Sequence, residues 1–350
     1  MAESFQDSSQ YKKRHLILGN GFIIALRPDI FHYGSLFSKA DFSGHPSLPR
    51  VFEVLDTQDF EIAIRHLEAG SKLAEIYGPQ SPTMALAMSA DAAALKEILV
   101  QTIAKNHPNV PGEVDVSKFW SCRNFLRYFV GRSNDGQVFT LNYDLLLYWA
   151  LMQEDNPFDA GAEKLRPNDA FGNDEDDPQA DYVVWQGETA AHSAKIHFLH
   201  GALHLFDAGN DLQKYTWIRT NQRLVDQARS ALATGKFPLF VSEGSSAQKK
   251  TKIRHNAYLY QGFKQLVSNA LQPSVCFFIH GHSIAENDDH ILRRLGTAKF
   301  PKLYVSLFGD INSETNKAIV KRAKALADLR TRSSPLQVEF YDAASAKVWG

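Results

Sequence analysis

Six short stretches of this chain carry the residue types that binding or transforming a small polar ligand requires. The first is Gly19-Asn20-Gly21, inside HLILGNGFIIALRPDIF, with Pro28-Asp29 shortly after it. Glycine has no Cβ, so such a turn lets the backbone approach a phosphate closely. The same pair equally suits a ligand-free corner between a strand and a helix. The second stretch is Asn142-Tyr143-Asp144, after the apolar run QVFTL. Asp144 there suits the N-cap of the helical pattern LLLYWALM. The third is His200-Gly201 in KIHFLHG. An imidazole, with an ordinary pKa of about 6.5, takes and returns protons at neutral pH. Ser242-Glu243-Gly244, Gly281-His282-Ser283 and Gly309-Asp310 complete the set.

Other groups of similar appearance have plainer readings. His197, His200 and His204 are spaced by three and four. In a strand those spacings point to different faces, so no metal is expected there. His280, His282 and His290 with Asp288 and Asp289 have no diagnostic metal-ligand spacing. AENDDHI reads instead as the cap of a helix. Asp174-Glu175-Asp176-Asp177 reads as a solvated acidic turn rather than a divalent-ion loop. The basic run Lys249, Lys250, Lys252, Arg254 reads as a solvated helix face.

What must position the six stretches is a series of apolar runs. Core strands are expected near 15–18, 138–141, 238–242, 275–279, 302–307 and 337–341. Most are apolar throughout rather than alternating, the pattern of a parallel sheet covered on both faces. With helical patterns such as NKAIVKRAKALADL between them, they predict an α/β fold, a doubly wound, mostly parallel Rossmann-like sheet. In such sheets ligands bind beyond the carboxyl ends of the strands, and each of the six stretches follows an apolar run. Residues 57–131 show helical patterns without a convincing strand and are read as a helical insertion. Residues 153–180 are acidic and weakly apolar and are read as a surface loop. Residues 1–350 are read as a single domain.

Bulk properties narrow the classes. A net charge of −1 gives no global field that favours nucleic acid or an anionic membrane. No apolar run is long enough to span a bilayer. The polar opening MAESFQDSSQYKKR predicts no secretory leader, and a cytoplasmic protein is expected. Two cysteines, Cys122 and Cys276, make neither a disulfide framework nor a four-thiolate zinc site.

In order and in placement, the strand-end stretches resemble the sirtuin-like NAD-binding superfamily over most of the chain. Gly19-Asn20-Gly21 with Pro28-Asp29, Thr140-Leu141-Asn142-Tyr143-Asp144, His200-Gly201 and Gly281-His282-Ser283 match that family's motifs in sequence. VSEGSSAQKKTKIRHNAYLYQGFKQL and GHSIAENDDHIL resemble a bacterial branch related to domains of antiviral defence systems. The resemblance implies NAD as ligand or substrate and no zinc. It implies cofactor contacts from Gly19, Asn20, Gly21, Asp29, Asp144, Gly281 and Ser283. It gives Asn142 the role of orienting water and ribose, and His200 that of the base. It further implies a homo-oligomer built on the helical insertion and a regulatory protein partner.

The chain departs from that pattern in three places. The four-cysteine zinc module of protein-deacylating sirtuins is missing. Ile23 or Ile24 stands where many sirtuins place a serine. The interval from Asn142 to His200 is long. Protein deacylation is therefore disfavoured. Cleavage of NAD at its nicotinamide–ribose bond is expected, with a non-catalytic module binding NAD or an ADP-ribose derivative as the alternative.

Overall fold

A computed structural model describes the chain apart from residues 1, 32, 77–80, 132–133, 160–164, 166, 210, 217–222, 234–235, 237 and 243–244. The first strand, β1 (Lys13–Leu18), is followed among the described residues by helices only until β2 (Val138–Thr140). Then come β3 (Phe171–Gly172), β4 (Tyr182–Trp185), β5 (Ile196–Phe198), β6 (Gly201–Asp207), β7 (Leu212–Tyr215) and β8 (Pro238–Phe240). The last three are β9 (Val275–His280), β10 (Lys302–Leu307) and β11 (Gln337–Asp342).

Six of these strands form one all-parallel sheet in the order β11-β10-β9-β1-β2-β5. Taken in chain order within the sheet, the sequence of strands is 3-2-1-4-5-6, the order of Rossmann-type sheets. The expected α/β fold with a parallel sheet is therefore present. The reason lies in the strands themselves. All six residues of β9 and of β10 are buried, as strands covered by helices on both faces must be. Leu16, Ile17 and Leu18 in β1 have no exposed surface. Each such side chain contributes about 1.5–3 kcal/mol when taken fully out of water. Strand β11 at the sheet edge is mostly half-buried or exposed.

One expected core strand belongs elsewhere. The run near 238–242 forms β8, which pairs antiparallel with β6 in a second sheet ordered β3-β4-β7-β6-β8. The cause is a reversal directly after β5. Gly201 adopts φ +78, and a Cβ there would lie 1.7 Å from the Leu239 carbonyl oxygen. The chain thus folds back against β8 instead of entering a helix. A short apolar run does not reveal which kind of sheet buries it.

Between β1 and β2 the long helices are Phe60–Ala74, Ser81–Asn106 and Val116–Val130. The last buries Phe119, Cys122, Phe125, Leu126 and Phe129, a helical three-and-four spacing that lays one face on the core. Asp59 caps the first of these helices by accepting from the amides of Glu61 and Ile62. The segment after the helix Leu146–Met152 is tied down by Asp155, whose carboxylate meets the buried Arg123 at 2.7 Å and also Arg127. Asp174 and Asp177 serve local turns, accepting from the amides of Asp176 and Gln179. Among the described residues no helix is long and apolar enough to cross a membrane.

Candidate functional site

A cleft of about 1010 Å³ opens at the carboxyl ends of the parallel strands. Every strand of that sheet delivers its following residues to the lining. Gly19–Gly21 come after β1, Leu141–Tyr143 after β2 and His200 after β5. Gly281–Ser283 come after β9, Phe308 after β10 and Ala343–Ala344 after β11. The centre lies between β1 and β9, where the strand order reverses, the place at which ligands of open α/β sheets bind. Ser242 is buried and does not line the cleft, and Glu243 and Gly244 lie outside the described residues.

The two glycine turns are built against each other. A Cβ on Gly19 would lie 2.6 Å from the Gly281 carbonyl oxygen, and one on Gly21 would lie 2.7 Å from the Gly281 Cα. The Gly21 amide donates to that carbonyl at 2.7 Å, and the Gly19 amide donates to His280. The helix after the turn is only Gly21–Ile24, and its amides of Phe22, Ile23 and Ile24 already donate to Gly19 and Asn20. Those three donors are thus spent on the turn itself. Among the described residues, the amides of Asn20, His282 and Ser283 donate to no protein acceptor. They are the donors left for an anion.

Asn142 is buried at the cleft wall, and its Nδ2 donates to the Gly19 carbonyl at 3.1 Å. Asn20 Nδ2 donates to the Phe31 carbonyl at 3.2 Å. Asp29 and Asp144 do not line the cleft. Asp29 forms a two-pronged pair with Arg27 at 2.8–2.9 Å. Asp144 is turned inward, its Oδ1 accepting from the Leu146 amide at 2.7 Å. Burial raises the Asp144 carboxyl to about 7.

His200 sits in a dense group of ionisable side chains. Its Nε2 lies 3.2 Å from His290 Nε2 and 3.8 Å from Asp288 Oδ1. Burial first, and the cationic Lys249 second, hold its pKa well below the ordinary value, so it is neutral at pH 7. His290 is likewise lowered to about 4, chiefly by burial. Asp288 accepts from Lys249 at 3.0 Å through Oδ1 and meets His282 Nε2 at 3.0 Å through Oδ2. Lys249 also donates to Glu61 at 2.7 Å, and Asn287 and Tyr143 reach the same carboxylate. Burial works against the Lys249 charge, but the carboxylates of Glu61 and Asp288 more than offset it and its pKa rises. At the end of this group Asp59 is raised to about 6, first by burial and then by Glu61.

His200, Asp288 and His290 present donors within 4.8 Å of one another, a spacing that would suit a metal ion. The Lys249 ammonium already compensates the one carboxylate of that trio. His197 and His204 are packed elsewhere, His197 stacked on Phe139 and His204 against Tyr148 and Phe198.

Asp59, Glu61, Asn287 and Lys249 were not singled out for this site by their sequence context. Lys249 is corrected outright, because it is buried and not on a solvated face. The available signal is its distance of four from Ile253, the other residue its helix buries. Glu61 comes from the segment between β1 and β2, and only the folded chain brings it to the cleft.

Fold and cleft together define a Rossmann-like α/β protein with an open cleft at the switch point of its parallel sheet. The sequence profile of a family described as a domain of unknown function (DUF4917) matches residues 16–349, and the chain belongs to that family. No curated protein matches the chain.

Proposed function

We propose that the cleft binds NAD and cleaves its nicotinamide–ribose bond. One observation carries this reading: Asn142 and His200 line the same cleft as the two glycine turns at the sheet's switch point. The amides of Asn20, His282 and Ser283 suit the diphosphate. The apolar side chains of Ile24, Leu36 and Ile319 suit stacking or enclosure of a base.

In the reaction the bond between C1′ and the nicotinamide nitrogen breaks, and its electron pair leaves with nicotinamide. Water oxygen bonds to C1′, and the water proton passes to the neutral His200 imidazole and then to solvent. The carboxylates of Asp59 and Glu61 supply negative charge beside the oxocarbenium-like carbon. Holding ribose and water in register is the positioning work assigned to Asn142. The resemblance to sirtuin-like defence domains supports a place in bacterial antiviral defence and control by a partner protein. Exposed Val54, Leu73, Ile76, Met84 and Leu86 on the segment between β1 and β2 support self-association.

A second reading is favoured by a different observation. An imidazole buried against His290 and held well below its ordinary pKa is a weak base. On that reading the protein binds NAD or an ADP-ribose derivative without cleaving it. The deciding experiment incubates the purified protein with NAD, with and without an acylated peptide, and follows free nicotinamide. Release without peptide supports hydrolysis, release only with peptide supports deacylation, and calorimetric binding without release supports the sensor.

A further inference from the structure

Behind the wall that carries His290 lies a second pocket of about 630 Å³. Four cationic side chains line it: Arg65, Lys250, Arg293 and Arg294. None of them makes an ion pair or side-chain hydrogen bond among the described residues. The two carboxylates in the lining, Glu286 and Asp289, are turned to Arg322, which is not part of the lining. The helix Ser246–His255 begins at the pocket, with its cap Ser245 and first residues Ser246 and Ala247 in the lining. Its first amides add partial positive charge to the four cations. His290 also lines this pocket. Its Nδ1 is buried, and the Asn287 carbonyl approaches it without closing a hydrogen bond.

We propose that this pocket is a second ligand site, for a small anion bearing a diphosphate or polyphosphate. Four like charges around one concavity repel each other, and a multivalent anion removes that repulsion while accepting several charge-assisted hydrogen bonds. The volume falls in the range of small-molecule sites, of about 300–1,000 Å³. The site is separate from the main cleft but shares its wall. Asn287 lines both, and His290 lines this pocket while its Nε2 meets His200. An anion seated here therefore acts on the residues that hold His200. The proposal stands whatever occupies the main cleft.

The test is calorimetric titration of the full chain with inorganic pyrophosphate and, separately, with ATP, at low ionic strength. The variants are Arg293→Glu/Arg294→Glu and the charge-keeping Arg293→Lys/Arg294→Lys. Both arginines are exposed, so neither pair of substitutions disturbs the core. The expected result is saturable binding that the glutamate pair weakens by roughly tenfold or more and the lysine pair largely keeps. ATP bound more tightly than pyrophosphate, with the same dependence on Arg293 and Arg294, identifies a nucleotide. Equal affinity identifies the phosphate chain alone as what is recognised. Absence of pyrophosphate and ATP binding in the wild type, or binding that the glutamate pair leaves unchanged, overturns the proposal.

Discussion

Glu61 and Lys249 are 188 positions apart in the chain and 2.7 Å apart in space. Lys249 is almost wholly buried, and its other partner, Asp288, belongs to a third segment. This one ammonium therefore joins the helices between β1 and β2, the helix Ser246–His255 and the turn after β9 at the rim of the cleft. Through Asp288 it also sets the electrostatic surroundings of His200 and His282.

Replacing Lys249 with methionine leaves Glu61 and Asp288 without their cation. Breaking a buried ion pair from one side costs about 3–5 kcal/mol, and a loss of that size is expected in urea unfolding. Adding Glu61→Gln and Asp288→Asn should recover part of it, because no unpaired charge then remains. A Lys249→Met midpoint equal to wild type would show that the network contributes nothing to stability.

The central strands were legible because their burial on both faces leaves unbroken apolar runs, as in Val275–His280. Gly19, Asn142, His200 and Gly281 were legible as residues that meet at one end of the sheet because each follows such a run. What stayed hidden depends on contacts between distant segments. Nothing local distinguishes Glu61 from any other acidic residue in a first helical turn. The run at Pro238–Phe240 does not announce that Gly201 will turn the chain into a second sheet. The turn glycines hid a second role, since their close fit to Gly281 requires glycine whether or not a phosphate binds.

That fit yields a stability prediction. Any side chain at Gly21 meets the Gly281 Cα, so backbone has to move. Gly21→Val should lower the thermal midpoint as well as abolish ligand binding, with a cost of about 1–3 kcal/mol for overpacking. A variant that keeps the wild-type midpoint while losing NAD affinity would show that the turn has room to relax.

Asp144 makes stability depend on pH. Its folded-state pKa is raised to about 7, above an unfolded value of about 3.9. The folded state therefore binds the proton more tightly. Its contribution is fully present below pH of about 4 and is lost as pH rises through about 7. Asp144→Asn keeps an oxygen that accepts from the Leu146 amide and removes the charge. This variant should gain stability relative to wild type at pH 8 and little at pH 4. Urea unfolding at the two pH values checks it, and an equal difference at both would refute the assignment.

The last prediction separates His200 from its surroundings. His200→Ala should lower nicotinamide release by about 10²–10⁴, the effect of losing a general base, with little change in NAD affinity. Asn142→Ala should reduce both turnover and affinity, because it also removes the hydrogen bond that ties the β2 turn to the Gly19 carbonyl. The pH profile adds a readout that a purely structural role would not move. A base works only when deprotonated. With the His200 pKa well below its ordinary value and Asp59 raised to about 6, both groups place the rising limb of the rate below pH of about 6.5, with activity levelling off between there and pH 8. Lys249 is one cause of that lowering. In Lys249→Met, with folding verified by circular dichroism, the cation is gone and Asp288 is unmasked, so the His200 pKa should rise and the limb should move toward neutral pH. A limb that stays in place would mean that His200 does not carry the proton, and loss of activity in His200→Ala would then have to arise from packing against His290.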